Sequence, residues 1–310
     1  MRIVFFGTPE LAVPSLEAAA ASHDVLAVVS QPDRPKGRGK KLEPPPVKVW
    51  AQAHGIPVVQ PTKLNDGTFE EWLRGQAPEI CLIAAYGRLL KQPILDIPPR
   101  GFLNMHPSLL PKYRGPSPIR TAILNGDEVT GVTIMRLTLE MDAGDILLQE
   151  EEPISPEDTW PSLSSRLARK GARMLVEGVN AIAAGTAHFT PQDHSQAVYC
   201  RMFEKSDGRI RWERPAHEIH NLVRAAVPWP VAHCLYKGEV CRIHATETVD
   251  ASYDAAPGTV VSVEKDRVIV ATGEDALAIL VFQAPGKRAM PITDYLRGHS
   301  IEIGERFEDL

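Results

Sequence analysis

Asn104 and His106, two side chains capable of acyl-transfer chemistry, lie two residues apart in the stretch NMHPSLLPKYRG. In an extended strand, residues with this spacing project from the same face, so the amide and the imidazole would face one site. An amide donor can stabilise an oxyanion and an imidazole can move a proton, which are the two tasks of acyl transfer. The alternative is structural: Asn104 holds a turn and His106 packs against Pro107.

A second candidate group lies in the stretch DAGD, where Asp142 and Asp145 flank an Ala-Gly pair. Turn residues of this kind hold a carboxylate at a defined place. A carboxylate beside an imidazole orients the ring and favours its charged form. The alternative is an ordinary solvated loop acid, and for Asp145 we favour that alternative.

These candidates need strands that end at a common edge, and the chain predicts such strands. Short apolar runs rich in Val and Ile alternate with helical patterns, which favours an α/β fold with a parallel sheet covered on both faces. The predicted strands are residues 2–7, 24–30, 56–60, 79–86, 101–106 and 131–137. Open parallel sheets bind ligands at the carboxyl edge of their strands, where Asn104 and His106 are expected.

The remainder of the chain predicts a second, strand-rich domain. Ser155, Pro156 and Asp158 predict the start of a long helix that Gly185 ends. Five further apolar runs, separated by turn residues, follow a short helix and are typical of a small β-barrel or sandwich. We therefore predict a catalytic domain over residues 1–189, a linker over 190–206 and a C-terminal domain over 207–310.

Several classes of protein are disfavoured. The first strand is followed by GTPE, which lacks the G-x-G-x-x-G of nicotinamide enzymes, and GRGKK is not a P-loop. The four cysteines form no CxxC pair and the ten histidines no HExxH, so no metal site is predicted. No apolar run approaches the ~18 to 20 residues that span a bilayer, and we expect a cytoplasmic protein without a membrane partner.

The positive charge is concentrated in the stretch QPDRPKGRGKKLEPPP. Residues 31–50 carry six basic and two acidic side chains in a chain of net charge −5. Its prolines and glycines exclude a continuous helix, and it follows the second strand at the carboxyl edge. A local patch of this kind favours a polyanionic partner, and the alternative is a solvated run of charge. The candidate contacts are Arg34, Lys36, Arg38, Lys40 and Lys41.

Taken together, these motifs resemble the tetrahydrofolate-dependent formyltransferases. The resemblance rests on Asn104, His106, SLLP at 108–111, GVTI at 131–134 and DAGD at 142–145. The basic stretch, RAAVPWP at 224–230 and QAPGKRAM at 283–290 resemble the branch that acts on aminoacyl-tRNA. The resemblance covers essentially the whole chain, and it implies a Rossmann-like formyltransferase domain followed by an OB-type barrel.

The resemblance also implies the reaction and its residues. Asn104, His106 and Asp142 correspond to the catalytic residues of the family, and the folate-site loop corresponds to Ser108, Leu109, Leu110 and Pro111. The implied donor is 10-formyltetrahydrofolate, without a metal, and the implied acceptor is the α-amine of methionine esterified to initiator tRNA. The basic stretch is implied to contact the acceptor stem, and we expect the chain to act as a monomer.

Three alternatives stay open at this point. A formyltransferase acting on a small amine, such as a sugar nucleotide or glycinamide ribonucleotide, would share the three catalytic residues without needing the basic stretch. A hydrolase that releases formate from the folate would use water as the acceptor. A non-catalytic RNA-binding protein would need none of the three. The chain differs from the family at Pro116 and Ser117, where small residues, often alanines, follow RG.

Overall fold

The computed structural model describes residues 1–36, 41–64 and 66–310. The chain forms two compact units, and each draws on more than one part of the sequence. The N-terminal unit comprises Met1–Pro118, Val129–Pro153 and Ser164–Arg201, and the C-terminal unit comprises Ile119–Glu128, Ile154–Leu163 and Met202–Leu310. The predicted domain boundaries at residues 189 and 207 stay a prediction.

The N-terminal unit is built on a mostly parallel sheet. Its strands are β1 Arg2–Gly7, β2 Asp24–Val29, β3 Arg34–Lys36, β4 Lys41–Glu43, β5 Val58–Val59, β6 Ile80–Ala84, β7 Phe102–His106, β8 Val129–Arg136 and β9 Ile146–Pro153. The sheet order is β5-β2-β1-β6-β7-β8-β9, while β3 and β4 form a separate hairpin. In this order, the five strands β5, β2, β1, β6 and β7 pair in parallel. Strand β8 pairs with β7, and β9 with β8, in antiparallel orientation. The six predicted strands and the mostly parallel sheet are confirmed.

The helices up to residue 184 follow the predicted alternation. They are α1 Val13–Ser22, α2 Pro46–Ala53, α3 Thr68–Gln76, α4 Gln92–Leu95, α5 Pro118–Leu124 and α6 Trp160–Ala184. Helix α6 begins later than Ser155 and Pro156 predict, because the Asp158 carboxylate binds the Ser155 amide at 2.8 Å and the Ser162 hydroxyl at 2.7 Å in a preceding turn. Helix α6 ends just before Gly185, as predicted. Gly185 has a φ of +72°, the left-handed conformation that ends helices.

An aromatic cluster fastens the middle strands from one face. The Phe6 ring on β1 lies 5.4 Å from the Tyr86 ring and 5.5 Å from the Phe102 ring on β7. Phe69 on α3 contacts Phe6 edge to face at 6.1 Å. All four rings are buried. Because such rings bury large apolar areas in fixed geometry, they hold β1 and β7, which flank β6, in place on this face of the sheet.

The C-terminal unit is an antiparallel barrel with two helices. Its elements are α7 Ala216–Ala226, β10 Ala232–Tyr236, β11 Glu239–Val249, β12 Val260–Val263, β13 Val268–Ala271, β14 Ala276–Gln283, β15 Met290–Pro291, α8 Ile292–Leu296 and β16 Phe307–Glu308. The sheet order is β12-β13-β14-β11-β10-β16, and β15 pairs with β14. The Phe307 amide donates to the Gly258 carbonyl and the Val260 amide to the Glu305 carbonyl, both at 2.8 Å, so β16 closes the sheet onto β12. The predicted OB-like fold is confirmed.

Cys234 and Cys241 face each other across the hairpin of β10 and β11. Their sulfur atoms are 3.4 Å apart and both side chains are buried. The distance exceeds the S–S bond length of about 2.05 Å, so these are two packed thiols. Among the described helices, none is both long and apolar enough to cross a membrane.

Candidate active site

Asn104 and His106 occupy the carboxyl end of β7, as the sequence predicts. This strand lies between β6 and β8, and Asn104 is in register with Ile83 and Met135. Both side chains are buried, Asn104 at 8% exposure and His106 at 5%. Within the part of the chain that the structure describes, the Asn104 carboxamide makes no hydrogen bond. A nearly buried amide with free donors can bind an oxygen atom of a substrate.

The two ring nitrogens of His106 have different partners. Nε2 lies 2.9 Å from the backbone carbonyl oxygen of Tyr113. Since a carbonyl only accepts hydrogen bonds, Nε2 carries a proton, and Nδ1 is the nitrogen that can gain or lose one. Nδ1 lies 3.6 Å from Oδ2 of Asp142. The protein thus fixes the ring through one nitrogen and presents the other beside a carboxylate.

Asp142 is held in the DAGD turn with its carboxylate directed at His106. Its φ is +50°, in the left-handed region that few residues other than glycine adopt. Oδ2 accepts a hydrogen bond from the backbone amide of Gly115 at 2.8 Å. Asp145 differs: its backbone carbonyl accepts from Arg136, and its carboxylate makes no hydrogen bond or ion pair to any described residue. The structure therefore brings Asp142 to His106 and leaves Asp145 out.

The predicted folate-site loop turns directly after His106. The Ser108 amide donates to the His106 carbonyl at 3.0 Å, and the Ser108 hydroxyl donates to the Lys112 carbonyl at 2.6 Å. Ser108 and Leu110 are buried, while Leu109 and Pro111 are half-buried. Ser108 therefore shapes the loop, and the contact of these four residues with folate stays a prediction.

The basic stretch forms a short hairpin and not only a loop. Strands β3 and β4 pair Arg34 with Glu43 and Lys36 with Lys41. The Arg34 guanidinium donates to Oε1 of Gln31 at the end of β2. Two predicted contacts, Arg38 and Lys40, lie outside the described residues.

A cavity of about 910 Å³ opens beside the hairpin at the carboxyl edge of the sheet. Residues that follow β1, β2 and β6 line it, among them Thr8, Gln31 and Tyr86. This is where the strand order reverses, because β2 lies on one side of β1 and β6 on the other. Ligands of open α/β sheets bind at such a point. Trp50 and Arg34 also line the cavity, which combines an apolar wall with a cation.

Four residues of the site were not predicted as functional. Tyr113 and Gly115 contact His106 and Asp142 through their backbone, and the buried side chains of Arg114 and Gln192 support the DAGD turn. Gly115 has a φ of +117°, and a Cβ there would lie 2.3 Å from the carbonyl oxygen of Cys200. A glycine after YR hints at such a constraint. Gln192 lies in the predicted linker, where no periodicity marks it.

Two family models match the chain, one over the parallel-sheet part and one over the barrel part. Residues 1–179 match the model described as "Formyl transferase", and residues 202–300 match "Formyl transferase, C-terminal domain". The chain therefore belongs to the formyl transferase family, and it is a formyl-transferring enzyme.

Curated relatives identify the branch of the family. The methionyl-tRNA formyltransferase of Moorella thermoacetica is 46% identical over 306 residues, which cover 98% of this chain and 98% of the relative. That of Acetivibrio thermocellus is 45% identical over 307 residues, with 98% and 99% covered. In sequence, the chain groups with the methionyl-tRNA formyltransferases.

Solved structures agree on the fold at lower identity. HypX from Aquifex aeolicus, in complex with tetrahydrofolic acid, superposes with a TM-score of 0.65 at 17% identity, covering 98% of this chain and 50% of that one. An N-formyltransferase from Helicobacter canadensis, in complex with folinic acid and dTDP-3-aminofucose, superposes with a TM-score of 0.66 at 20% identity, covering 89% of this chain and 98% of that one.

Among the described residues, no group of three or more His, Cys, Asp or Glu side chains is arranged to hold a metal ion.

Proposed function

We propose that the chain transfers the formyl group of 10-formyltetrahydrofolate to the free α-amine of methionyl-initiator tRNA, for the initiation of protein synthesis. One observation carries the proposal: at the carboxyl end of β7, a free Asn104 amide lies two residues from an imidazole fixed beside Asp142. The full-length relatives of the same name support the choice of acceptor. We propose a monomer that works in the cytoplasm.

The reaction needs placement and proton management. An α-amine has a pKa of about 7.7 to 8.0 and attacks the formyl carbon in its neutral form. As the new N–C bond forms, the formyl oxygen becomes an oxyanion, and the Asn104 amide donates a hydrogen bond to it. The bond between the formyl carbon and N10 of the folate then breaks. The amine loses one proton, and N10 gains one. Asp142 faces Nδ1 of His106 and orients the ring, and the imidazole moves this proton through Nδ1.

We propose that the folate packs against the loop after β7. Leu109 and Pro111 are half-buried and offer an apolar surface next to His106, while the Ser108 hydroxyl keeps the loop in shape. A flat ring system with polar edges suits a surface of apolar side chains and exposed backbone groups. The proposed folate-site residues are Ser108, Leu109, Leu110 and Pro111.

We propose that the hairpin of β3 and β4 contacts the acceptor stem of the tRNA, whose aminoacyl end enters the cavity at the strand reversal. Arg34 lines that cavity, so one end of the basic stretch is adjacent to the proposed acceptor site. Cations in an otherwise acidic protein attract phosphates locally. The proposed tRNA contacts are Arg34, Lys36, Arg38, Lys40 and Lys41.

A transfer assay tests the proposal. Formyl transfer from 10-formyltetrahydrofolate is measured with charged initiator tRNA, elongator methionyl-tRNA and a small amine such as an amino-sugar nucleotide as acceptors. We expect the highest kcat/KM with initiator tRNA. Faster transfer to the small amine would refute the proposed acceptor, and release of formate without any acceptor would indicate a hydrolase.

A further inference from the structure

Gln192, which is distant from the DAGD turn in sequence, supports the turn through side-chain hydrogen bonds. Its side chain is buried at 5% exposure, although it belongs to no helix or strand. Nε2 donates to the backbone carbonyl of Asp142 and to that of Gly144, both at 2.8 Å. Both carbonyls belong to the turn that carries the proposed catalytic carboxylate, so the two amide protons of Gln192 are used on one short segment.

Arg114 fixes the other end of the Gln192 carboxamide. Its Nε and Nη2 donate to Oε1 of Gln192 at 3.1 Å and 2.8 Å. A guanidinium only donates and a backbone carbonyl only accepts, so these partners determine which way the carboxamide points. Arg114 is 1% exposed, and three further contacts hold its guanidinium: the Tyr199 hydroxyl at 3.3 Å, Nδ1 of His194 at 3.2 Å and Glu140 at 3.5 Å. The orientation of Gln192 is therefore set by its surroundings.

The turn itself requires such support. Asp142 has a φ of +50°, which is unfavourable for a residue with a Cβ. A Cβ on Gly144 would lie 1.8 Å from the Arg136 carbonyl oxygen, so the chain passes there without space for any side chain. The residue after Arg114 completes the arrangement, because the Gly115 amide binds the Asp142 carboxylate at 2.8 Å. Asp142 is thus held at its carbonyl through Gln192 and at its carboxylate through Gly115.

We propose that Gln192, oriented by Arg114, is a positioning residue for formyl transfer: it fixes the DAGD turn so that the Asp142 carboxylate faces Nδ1 of His106. The inference rests on the proposed function, because it assigns Gln192 to the same site. Gln192 acts through Asp142, so its loss lowers kcat and leaves substrate binding intact. A displacement of about 1 Å in a catalytic group can cost ~100-fold in rate.

The test is Gln192→Glu in the full chain. Glutamate has the same shape and still accepts from Arg114, but an ionised carboxylate cannot donate to the two turn carbonyls. We expect kcat for formyl transfer to methionyl-tRNA to fall about 100-fold with both KM values unchanged. The matched control is Gln196→Glu, the same change four residues along, where the amide binds only Asp193 among the described residues. The control is expected to keep the kcat of the wild type.

A double-mutant cycle separates positioning from general stability. If Gln192 acts through Asp142, then Gln192→Glu costs little further rate in a chain that already carries Asp142→Asn. Additive losses would overturn the inference, as would an unchanged kcat in Gln192→Glu. A wild-type chain that does not formylate methionyl-tRNA would instead refute the proposed function.

A measurement on the wild type covers the case in which Gln192→Glu does not fold. Both carboxamide protons of Gln192 are donated to backbone carbonyls of the DAGD turn. We expect them to exchange with solvent at least about 100-fold more slowly than the carboxamide protons of Gln196, as followed by NMR. Equal exchange rates for the two carboxamides would overturn the inference without any variant.

Discussion

The backbone carbonyl of Tyr113 and the backbone amide of Gly115 bind the two members of the His106 and Asp142 pair. Tyr113 accepts from Nε2 of His106 at 2.9 Å, and Gly115 donates to Oδ2 of Asp142 at 2.8 Å. The distance between the imidazole and the carboxylate is therefore set by one tripeptide. Because both contacts are made by the backbone, the geometry depends on the path of the chain at residues 113–115.

Removing the amide of Asn104 should abolish most of the catalysis. We expect Asn104→Ala to lower kcat about 100-fold to 1000-fold, because loss of one oxyanion donor typically has this cost. Asn104→Asp keeps the shape and replaces the donor with an acceptor, so an equal loss is expected. Single-turnover kinetics and thermal unfolding are measured together. A drop in melting temperature without a drop in kcat would support the structural role for Asn104.

Removing the imidazole of His106 is a separate test of proton transfer. We expect His106→Ala to lower kcat by at least about 100-fold, since general acid–base catalysis contributes this much. Binding of both substrates, measured at equilibrium, should be retained. Full activity in this variant would exclude His106 from the reaction.

The charge of Asp142 is tested by a pair of isosteric variants. Asp142→Asn keeps an acceptor for the Gly115 amide and loses the negative charge beside His106. We expect kcat to fall about 100-fold, because the group that faces Nδ1 of the proposed acid–base imidazole loses its charge. Asp145→Asn makes the same change at a carboxylate without a described partner and should leave kcat unchanged. Equal effects of the two variants would contradict the assignment.

A methyl group on Gly115 should disturb the site sterically. The Cβ of Gly115→Ala would lie 2.3 Å from the carbonyl oxygen of Cys200, which is a backbone atom and cannot rotate away. We expect kcat to fall about 100-fold as the donor to Asp142 shifts. The control is Gly75→Ala on α3, where nothing lies within 4 Å of the new Cβ. That variant should keep full activity and unfold at the same or a higher temperature.

The basic stretch should govern tRNA use alone. We expect the triple variant Arg38→Ala, Lys40→Ala and Lys41→Ala to have a higher KM for initiator tRNA. The slope of log affinity against log salt concentration should become shallower by about 0.7 to 0.9 per lost phosphate contact. Folate binding should be unchanged. Arg173→Ala, which removes an exposed cation of α6 that pairs with Glu150 and Glu177, is the control and should keep the wild-type salt dependence. Unchanged tRNA kinetics in the triple variant would remove the stretch from the mechanism.

Half-buried His220 should make the C-terminal unit sensitive to acid. Burial, and then the charge of Arg224, lower the pKa of His220 below its ordinary value of 6.5. Because the unfolded chain then binds the proton more readily, stability is complete above pH 6.5 and falls as the pH drops below it. We expect the melting temperature of the wild type to fall from about pH 7.5 to pH 5.5 more than that of His220→Gln. His217→Gln, an exposed change on the same helix, should follow the wild type.

The strands of both folds were predictable because they are continuous apolar runs bounded by turn residues. The two-residue strands β15 and β16 were not predicted, and two exceptions in the N-terminal unit have physical causes. Strand β9 is an edge strand on which Glu150 and Glu152 alternate with more exposed neighbours, so its charge conceals its period. The hairpin of β3 and β4 is three residues on each side, too short for any period to be read.

The candidate site was predictable in its proposed reacting groups and not in the residues that support them. Asn104 and His106 share a strand, so their spacing alone predicts a common face. Asp142 reaches them only through a turn with positive φ, and Gln192 approaches it from 50 residues further along the chain. Contacts of that separation leave no local pattern in a single sequence.

The closing strand of the C-terminal barrel lies at residues 307–308, where Phe307 stacks on Tyr236 at 4.7 Å between ring centroids. The Trp212 amide binds Asp309 at 3.0 Å nearby. During synthesis, residues 307–308 must therefore leave the ribosome before the barrel can close.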